Sequence, residues 1–272
     1  GGAAHQRGAG GDRAGERVVL NPLITCGQCP ACLSGRSNLC PDRDLIGMYR
    51  PGAFSEYVAM PERNLIAIPA GMPAVHAALT EPAATAVHAV NLAARTSHRP
   101  LAECRALVLG GGSVGLFAAL ALADHGVAEV RLAETNALRR ATAQSAGVFV
   151  VIDPGETDVP GDHFDVVVDA VGGRLSREYA SAAVKAGGVF MHIGLMDNDG
   201  GLDMRRVTLS EITVIGTYTY THLDMRVTLD KLHRGAFGDL AWVERRPLAH
   251  GARAFDDLLH GRSAAPKIVL EP

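Results

Sequence analysis

The pattern of hydrophobic and polar positions changes character near residue 105. Beyond it, short apolar runs recur at 106–109, 130–133, 149–152, 166–169, 189–193 and 214–217, and helix-compatible stretches fit between most of them. Strands alternating with helices predict βαβ units and a parallel sheet. The runs at 166–169 and 189–193 are almost continuously apolar, as expected of strands covered on both faces. Six such strands match a doubly wound α/β sheet. Before residue 105 the pattern is of short β segments: 16–20, an alternating stretch at 52–58 behind a turn, and 65–68, closed by Pro69-Ala70-Gly71. An Ala-rich run from 82 to about 94 predicts a helix. The tail, 248–270, predicts a short helix at 252–259 and a final strand at 267–270. Residues 1–16 are rich in Gly, Ala and Arg without periodicity, and read as a loose leader.

The first run of the second half leads into Gly110-Gly111-Gly112-Ser113-Val114-Gly115, which fits G-x-G-x-x-G, and the next run ends on Glu134, 19 residues past Gly115. Strand, glycine turn, helix, strand and acid in this order form the dinucleotide-binding fingerprint. Gly110 permits the tight turn, Gly112 lets backbone approach a pyrophosphate, and Gly115 lets the helix pack close to the strand. Ser113 and Val114 stand at the helix start, where unpaired N–H groups and the dipole favour phosphate. Glu134 is suited to accept hydrogen bonds from both hydroxyls of an adenosine ribose. A 2′-phosphate there would meet a carboxylate, which favours NAD over NADP. Ala170 ends the fourth strand, and Ile193-Gly194-Leu195 end the fifth. Ligands sit at the carboxyl ends of such strands, so these residues are expected to line the adenosine and nicotinamide ends of a groove.

Composition narrows the setting. The 272 residues are 47% hydrophobic and 20% charged, a soluble globular makeup long enough for one large domain or two ordinary ones. A net charge of −3 gives no argument for nucleic acid or an anionic membrane. No uncharged apolar run is long enough to span a bilayer, and the opening residues lack the apolar core of a signal peptide. A cytoplasmic location is the default expectation. In a reducing compartment, four of five cysteines within fifteen residues read as metal binding rather than disulfides.

Those four, Cys26, Cys29, Cys32 and Cys40, give C-x2-C-x2-C-x7-C. Small residues between them let four thiolates converge on a tetrahedral ion, and zinc prefers such a closed all-sulfur shell. With no open position, the metal is expected to be structural. An iron–sulfur cluster is the competing reading, with the distance of the fourth cysteine counting against it.

Taken in order, NPLITCGQCPACLSGRSNLC, GAFSEYVAMPERNLIAIP, LTEPAATAVHAV, the glycine fingerprint, DAVGG and PKIVLEP closely resemble the zinc-dependent medium-chain alcohol and polyol dehydrogenases. The resemblance implies a doubly wound (Rossmann) sheet inserted in a partial, mainly-β GroES-like catalytic domain. It divides the chain into residues 1–85, with the metal lobe, a dinucleotide-binding domain at 86–234, and a return to the catalytic domain at 235–272. It implies an oxidoreductase passing hydride between a secondary alcohol or polyol and NAD, assembled as a homodimer or homotetramer through the edge strand at 214–217. Glu81, in Thr80-Glu81-Pro82, falls where the family places a ligand of a second, catalytic zinc. Thr85 falls beside the nicotinamide, and Arg139 beside the adenine ribose. Lys267 reads either as a phosphate contact from the tail or as a surface lysine. The family's Gly-His-Glu ligand motif does not occur, no cysteine precedes Cys26, and His5 lies in the leader. The resemblance therefore implies a dehydrogenase without its opening segment, or with that segment replaced. A non-catalytic NAD-binding or assembly protein with only the structural zinc is the alternative.

Overall fold

The computed structural model describes residues 13–147, 149–157 and 159–272. Most of the expected leader, His5 included, lies outside the described residues. Its end does not read as loose: the Glu16 N–H closes a turn on the Arg13 carbonyl at 3.1 Å, ahead of the first strand.

Four short strands open the fold: β1 (Val18–Leu20), β2 (Leu23–Ile24), β3 (Asp44–Leu45) and β4 (Leu65–Ala67). They form two antiparallel pairs, β1 with β4 and β2 with β3. Between β2 and β3 lies a one-turn helix, α1 (Pro30–Leu33), with Pro30 in its first turn. Beyond β4 come α2 (Ala74–Ala77) and the long α3 (Thr80–Thr96), two residues longer at each end than the Ala-rich run predicts. No strand forms at 52–58. Alternation favours one, but the Ser55 hydroxyl instead bonds the carbonyls of Tyr57 (2.6 Å) and Gly52 (3.3 Å). Such local bonds compete with a β ladder, and the strand's apolar positions stay open, with Tyr57 80% exposed.

The remaining elements build the expected sheet. In chain order they are β5 (Arg105–Leu109), α4 (Ser113–Asp124), β6 (Glu129–Ala133), α5 (Ala137–Ala146), β7 (Val150–Ile152), β8 (Phe164–Asp169), α6 (Arg174–Ala183), β9 (Val184–His192), α7 (Met204–Leu209) and β10 (Thr213–Gly216). All six strands are parallel, in the order β10-β9-β8-β5-β6-β7. That is the doubly wound order, with the chain reversing direction across the sheet between β5 and β8. Strand periodicity splits the core in two. Ala106 and Val108 face one layer with α3, α4 and α8 (His222–His233), whereas Leu107 and Leu109 face the other, with α6. Helix α4 is apolar all round because it lies between the sheet and α3, and Gly126 (φ +74°) follows its end.

In the tail, β11 (Val243–Pro247) and β12 (Lys267–Glu271) pair in parallel around α9 (Gly251–Leu259). Trp242 packs edge-on to Phe117 of α4, 5.1 Å between centroids, and anchors the tail on the sheet's helical layer. No helix among the described residues is long and apolar enough to cross a membrane.

Candidate functional site

The glycine turn sits at the carboxyl end of β5. Gly110 adopts φ +97°, and a Cβ there would stand 2.8 Å from the Val171 side chain. A Cβ on Gly115 would run into the Gly110 carbonyl, so only glycine lets α4 leave the strand this steeply. Gly112 differs: a Cβ there would meet no protein atom, so its face is open. Gly112 caps α4, and its carbonyl accepts from Leu116 N–H, the first bond of the helix. The N–H groups of Ser113, Val114 and Gly115 therefore precede the helical ladder, next to that open face of Gly112. Such a cradle fits a dinucleotide pyrophosphate.

Glu134 ends β6 beside this turn, buried to 7% exposure. One carboxylate oxygen accepts from Gly111 N–H and the other from Asn136 N–H, both at 2.7 Å. Each oxygen retains acceptor capacity. Arg139, expected by the ribose, donates from Nη2 to the Leu258 carbonyl of the tail (3.1 Å). Arg140, which the sequence reading passed over, bonds the Glu134 and Thr135 carbonyls (2.9 and 2.7 Å) and pairs with Asp153 at 2.7 Å. Asn136 caps α5 with its oxygen and bonds the Gly261 carbonyl with its nitrogen (2.8 Å).

Backbone bonds carry the ladders past the strand ends. Ala170 N–H bonds Leu109 O (3.0 Å), and Ile193 N–H bonds Asp169 O (2.9 Å). Buried Asp169 accepts from Val171 N–H, Gly172 N–H and the Ser176 hydroxyl, fixing the DAVGG turn. Leu195 is exposed. Ile193 and Leu195 border a cavity of about 650 Å³ that also reaches His88, Asn38, Thr217 and Asp224.

The four cysteine sulfurs lie within 4.8 Å of one another, the one His/Cys/Asp/Glu cluster with metal-ligand geometry among the described residues. Backbone N–H groups point at the sulfurs: Cys29 N to Cys26 Sγ (3.3 Å), Cys26 N to Cys40 Sγ (3.4 Å) and Cys32 N to Cys29 Sγ (3.5 Å). The N–H groups of Gln28 and Cys29 draw the Cys26 thiol down to about 7. Four converging sulfurs with stabilised thiolate fit a tetrahedral zinc.

Glu81 stands in the first turn of α3 and is partly buried. Desolvation pushes its carboxyl above the ordinary range, with Lys267 and Tyr220 opposing. The Tyr220 hydroxyl is fully buried beside it, with no partner in hydrogen-bonding geometry. Lys267 is only partly exposed, and its positive charge favours the ionised carboxylate of Glu81. Thr85, one turn on, bonds the Glu81 carbonyl at 3.4 Å. Among the described residues Glu81 belongs to no group of three or more His, Cys, Asp or Glu side chains placed to hold a metal, so those residues alone do not supply the three ligands of a catalytic zinc.

Three further polar groups have no role in the sequence reading. His88 and Asp224, 7% and 6% exposed, pair at 2.8 Å through Nδ1. Asp224 also accepts from the Thr221 N–H and hydroxyl in a capping box, and from Asn91. Asn38, also buried, donates to the Tyr218 carbonyl (2.9 Å) and approaches His88 Nε2 at 3.4 Å. The Thr221-x-x-Asp224 spacing marks a helix start, but no local signal links it to residues 38 or 88.

Comparison with known proteins points to a family. Residues 3–70 match the family described as alcohol dehydrogenase GroES-like domain, and residues 113–234 the one described as zinc-binding dehydrogenase. Over 266 residues the chain is 29% identical to L-galactonate-5-dehydrogenase of Escherichia coli (strain K12), covering 94% of this chain and 76% of that protein. Over 220 residues it is 31% identical to sorbitol dehydrogenase of Bacillus subtilis (strain 168), covering 77% and 61%. Acetophenone reductase from Geotrichum candidum NBRC 4597, solved in complex with NAD, superposes with a TM-score of 0.85 at 26% identity, covering 95% and 74%. The chain thus spans about three-fifths to three-quarters of the length of these proteins.

Proposed function

Because the chain belongs to the medium-chain family of zinc-type alcohol and polyol dehydrogenases, we propose that it is an NAD-dependent oxidoreductase of a secondary alcohol or polyol. The observation that carries the choice of coenzyme is Glu134, a buried carboxylate held beside the glycine turn by two backbone donors. A ribose offers it two hydroxyl donors, whereas a 2′-phosphate would bring like charge into a poorly solvated site. The pyrophosphate would rest on the N–H groups of residues 112–115. Ala170, Ile193, Gly194 and Leu195 would border the rest of the coenzyme, with Thr85 beside the nicotinamide. When bound, NAD supplies the hydride acceptor, while the carbinol carbon loses hydride and its hydroxyl a proton.

The same reading divides the chain at residues 85 and 234 and assigns the four-cysteine lobe a structural zinc. It seats the protein in the cytoplasm, where thiols stay reduced. It also makes the β10 edge the contact of a homodimer or homotetramer, since an open edge strand seeks a partner. Glu81 remains the candidate ligand of a catalytic zinc, and no step is assigned to that metal.

A second reading is favoured by Glu81 standing outside any three-ligand group among the described residues: a coenzyme-binding protein with the lobe metal alone. Zinc per chain separates the two, two ions supporting catalysis and one supporting binding. NADH and NADPH titrations of the Glu134→Arg protein test the coenzyme. NADH should weaken by tenfold or more and NADPH improve; unchanged affinity for both removes Glu134 from the ribose site.

A further inference from the structure

The metal lobe and the coenzyme groove are joined by one short polar chain. Three and two residues before Cys40, Ser37 and Asn38 are buried. The Asn38 amide holds the Tyr218 carbonyl, and the Ser37 hydroxyl faces His222 N–H at 3.4 Å. Arg43, three residues past Cys40, lies over the Tyr218 ring at 4.8 Å. On the far side, His88 and Asp224 pin the same segment to α3 through Thr221.

The segment so gripped, residues 217–221, is the exit from the carboxyl end of β10. Thr217 N–H bonds the His192 carbonyl (3.0 Å), next to Ile193-Gly194-Leu195. Thr219 adopts φ +46°, a conformation a β-branched residue holds only when its surroundings impose it. Tyr220 then projects its hydroxyl beside Glu81. The grip on one side of this exit comes from residues whose own positions depend on the Cys26–Cys40 loop.

We propose that Asn38 is a positioning residue that couples the cysteine lobe to the coenzyme groove, so that zinc in the lobe and NAD in the groove bind cooperatively. The coupling acts through the 217–221 exit. With the lobe metal bound, Asn38 holds Tyr218 and keeps Thr219 and Tyr220 in their imposed geometry. Without it, Asn38 loses its fixed position and the exit relaxes. Linkage makes the effect reciprocal: whatever factor zinc contributes to coenzyme affinity, coenzyme contributes to zinc affinity.

The inference rests on the dinucleotide reading above, and the test separates the two. Zinc transfer from the full chain to an excess of a chromogenic chelator is followed with and without saturating NADH, and NADH affinity is measured directly by fluorescence titration. Saturating NADH should slow zinc loss by about tenfold in the unmodified protein. In Asn38→Ala, which keeps all four sulfurs, zinc content should stay at the unmodified level while the NADH effect on zinc loss shrinks to less than twofold. Ser34→Ala, whose hydroxyl bonds only the lobe's own Ala31 carbonyl, should retain the full effect. If NADH binds but leaves zinc loss unchanged, or if Asn38→Ala retains the full protection, the coupling is refuted while the coenzyme reading stands. If NADH does not bind at all, both fall.

Discussion

A methyl group on Gly115 would occupy the space of the Gly110 carbonyl oxygen, whereas one on Gly112, three residues earlier, would touch nothing in the protein. The two glycines of one motif therefore serve different ends. Gly115→Ala must push α4 away from β5, an overpacking that costs about 1–3 kcal/mol or more, and its unfolding midpoint should fall accordingly. Gly112 has φ −68°, which alanine adopts freely, so Gly112→Ala should be neutral or stabilising by up to about 1 kcal/mol. The same substitution should weaken NADH by tenfold or more, because the methyl stands where the pyrophosphate would rest. Thermal unfolding paired with NADH titration checks both, and normal NADH affinity in Gly112→Ala would count against the cradle.

The buried His88–Asp224 pair predicts an acid limb in stability. Against the cost of burial, hydrogen bonds from His88 and Thr221 hold the Asp224 carboxyl down, from its ordinary 3.8 to about 2. A carboxyl depressed in the folded state contributes stability that is present above its unfolded value and lost as pH falls through its folded one. About 2 kcal/mol should therefore disappear between pH 4 and pH 2. Denaturant unfolding at stepped pH should show this loss in the unmodified protein and a shallower one in Asp224→Asn. Identical slopes would mean that the pair contributes nothing over that range.

Trp242, the sole tryptophan of the chain, reports on the docking of the tail. It lies against Phe117 of α4 and is 6% exposed. Truncation to alanine removes that contact and should cost about 3–5 kcal/mol. In the unmodified protein its emission should be blue-shifted and resist quenching by acrylamide. A quenching rate equal to that of free tryptophan would show the tail undocked in solution.

Asn136 joins two units with one side chain. Its oxygen caps α5 and its nitrogen bonds the Gly261 carbonyl in the tail. Asn136→Asp keeps the cap acceptor and loses the donor; Asn136→Ala loses both. The alanine protein should lose about 1 kcal/mol more than the aspartate one, the ordinary worth of an N-cap, as read from denaturant midpoints.

What the sequence determined alone was whatever depends on neighbours in the chain. Apolar runs placed five of the six strands to within two residues at each end, because a parallel strand buried on both faces must be largely apolar, whereas β9 begins five residues ahead of its run, at Val184. The glycine spacing located the turn, and the cysteine spacing located the lobe, because a tight loop brings its own residues together wherever it sits. Tertiary structure decided the rest. The run at 52–58 alternates like a strand, yet pairing needs a partner ladder, and Ser55 supplies its carbonyls with a local bond instead. Arg139 turns to the tail at Leu258, a residue whose proximity no spacing reveals. Asn38 meets Tyr218, His88 meets Asp224, and Glu81 shares its surroundings with Tyr220 and Lys267. Each of these pairs is separated by more than a hundred residues, so it forms only when packing brings distant segments into one low-dielectric interior where polar groups must find partners.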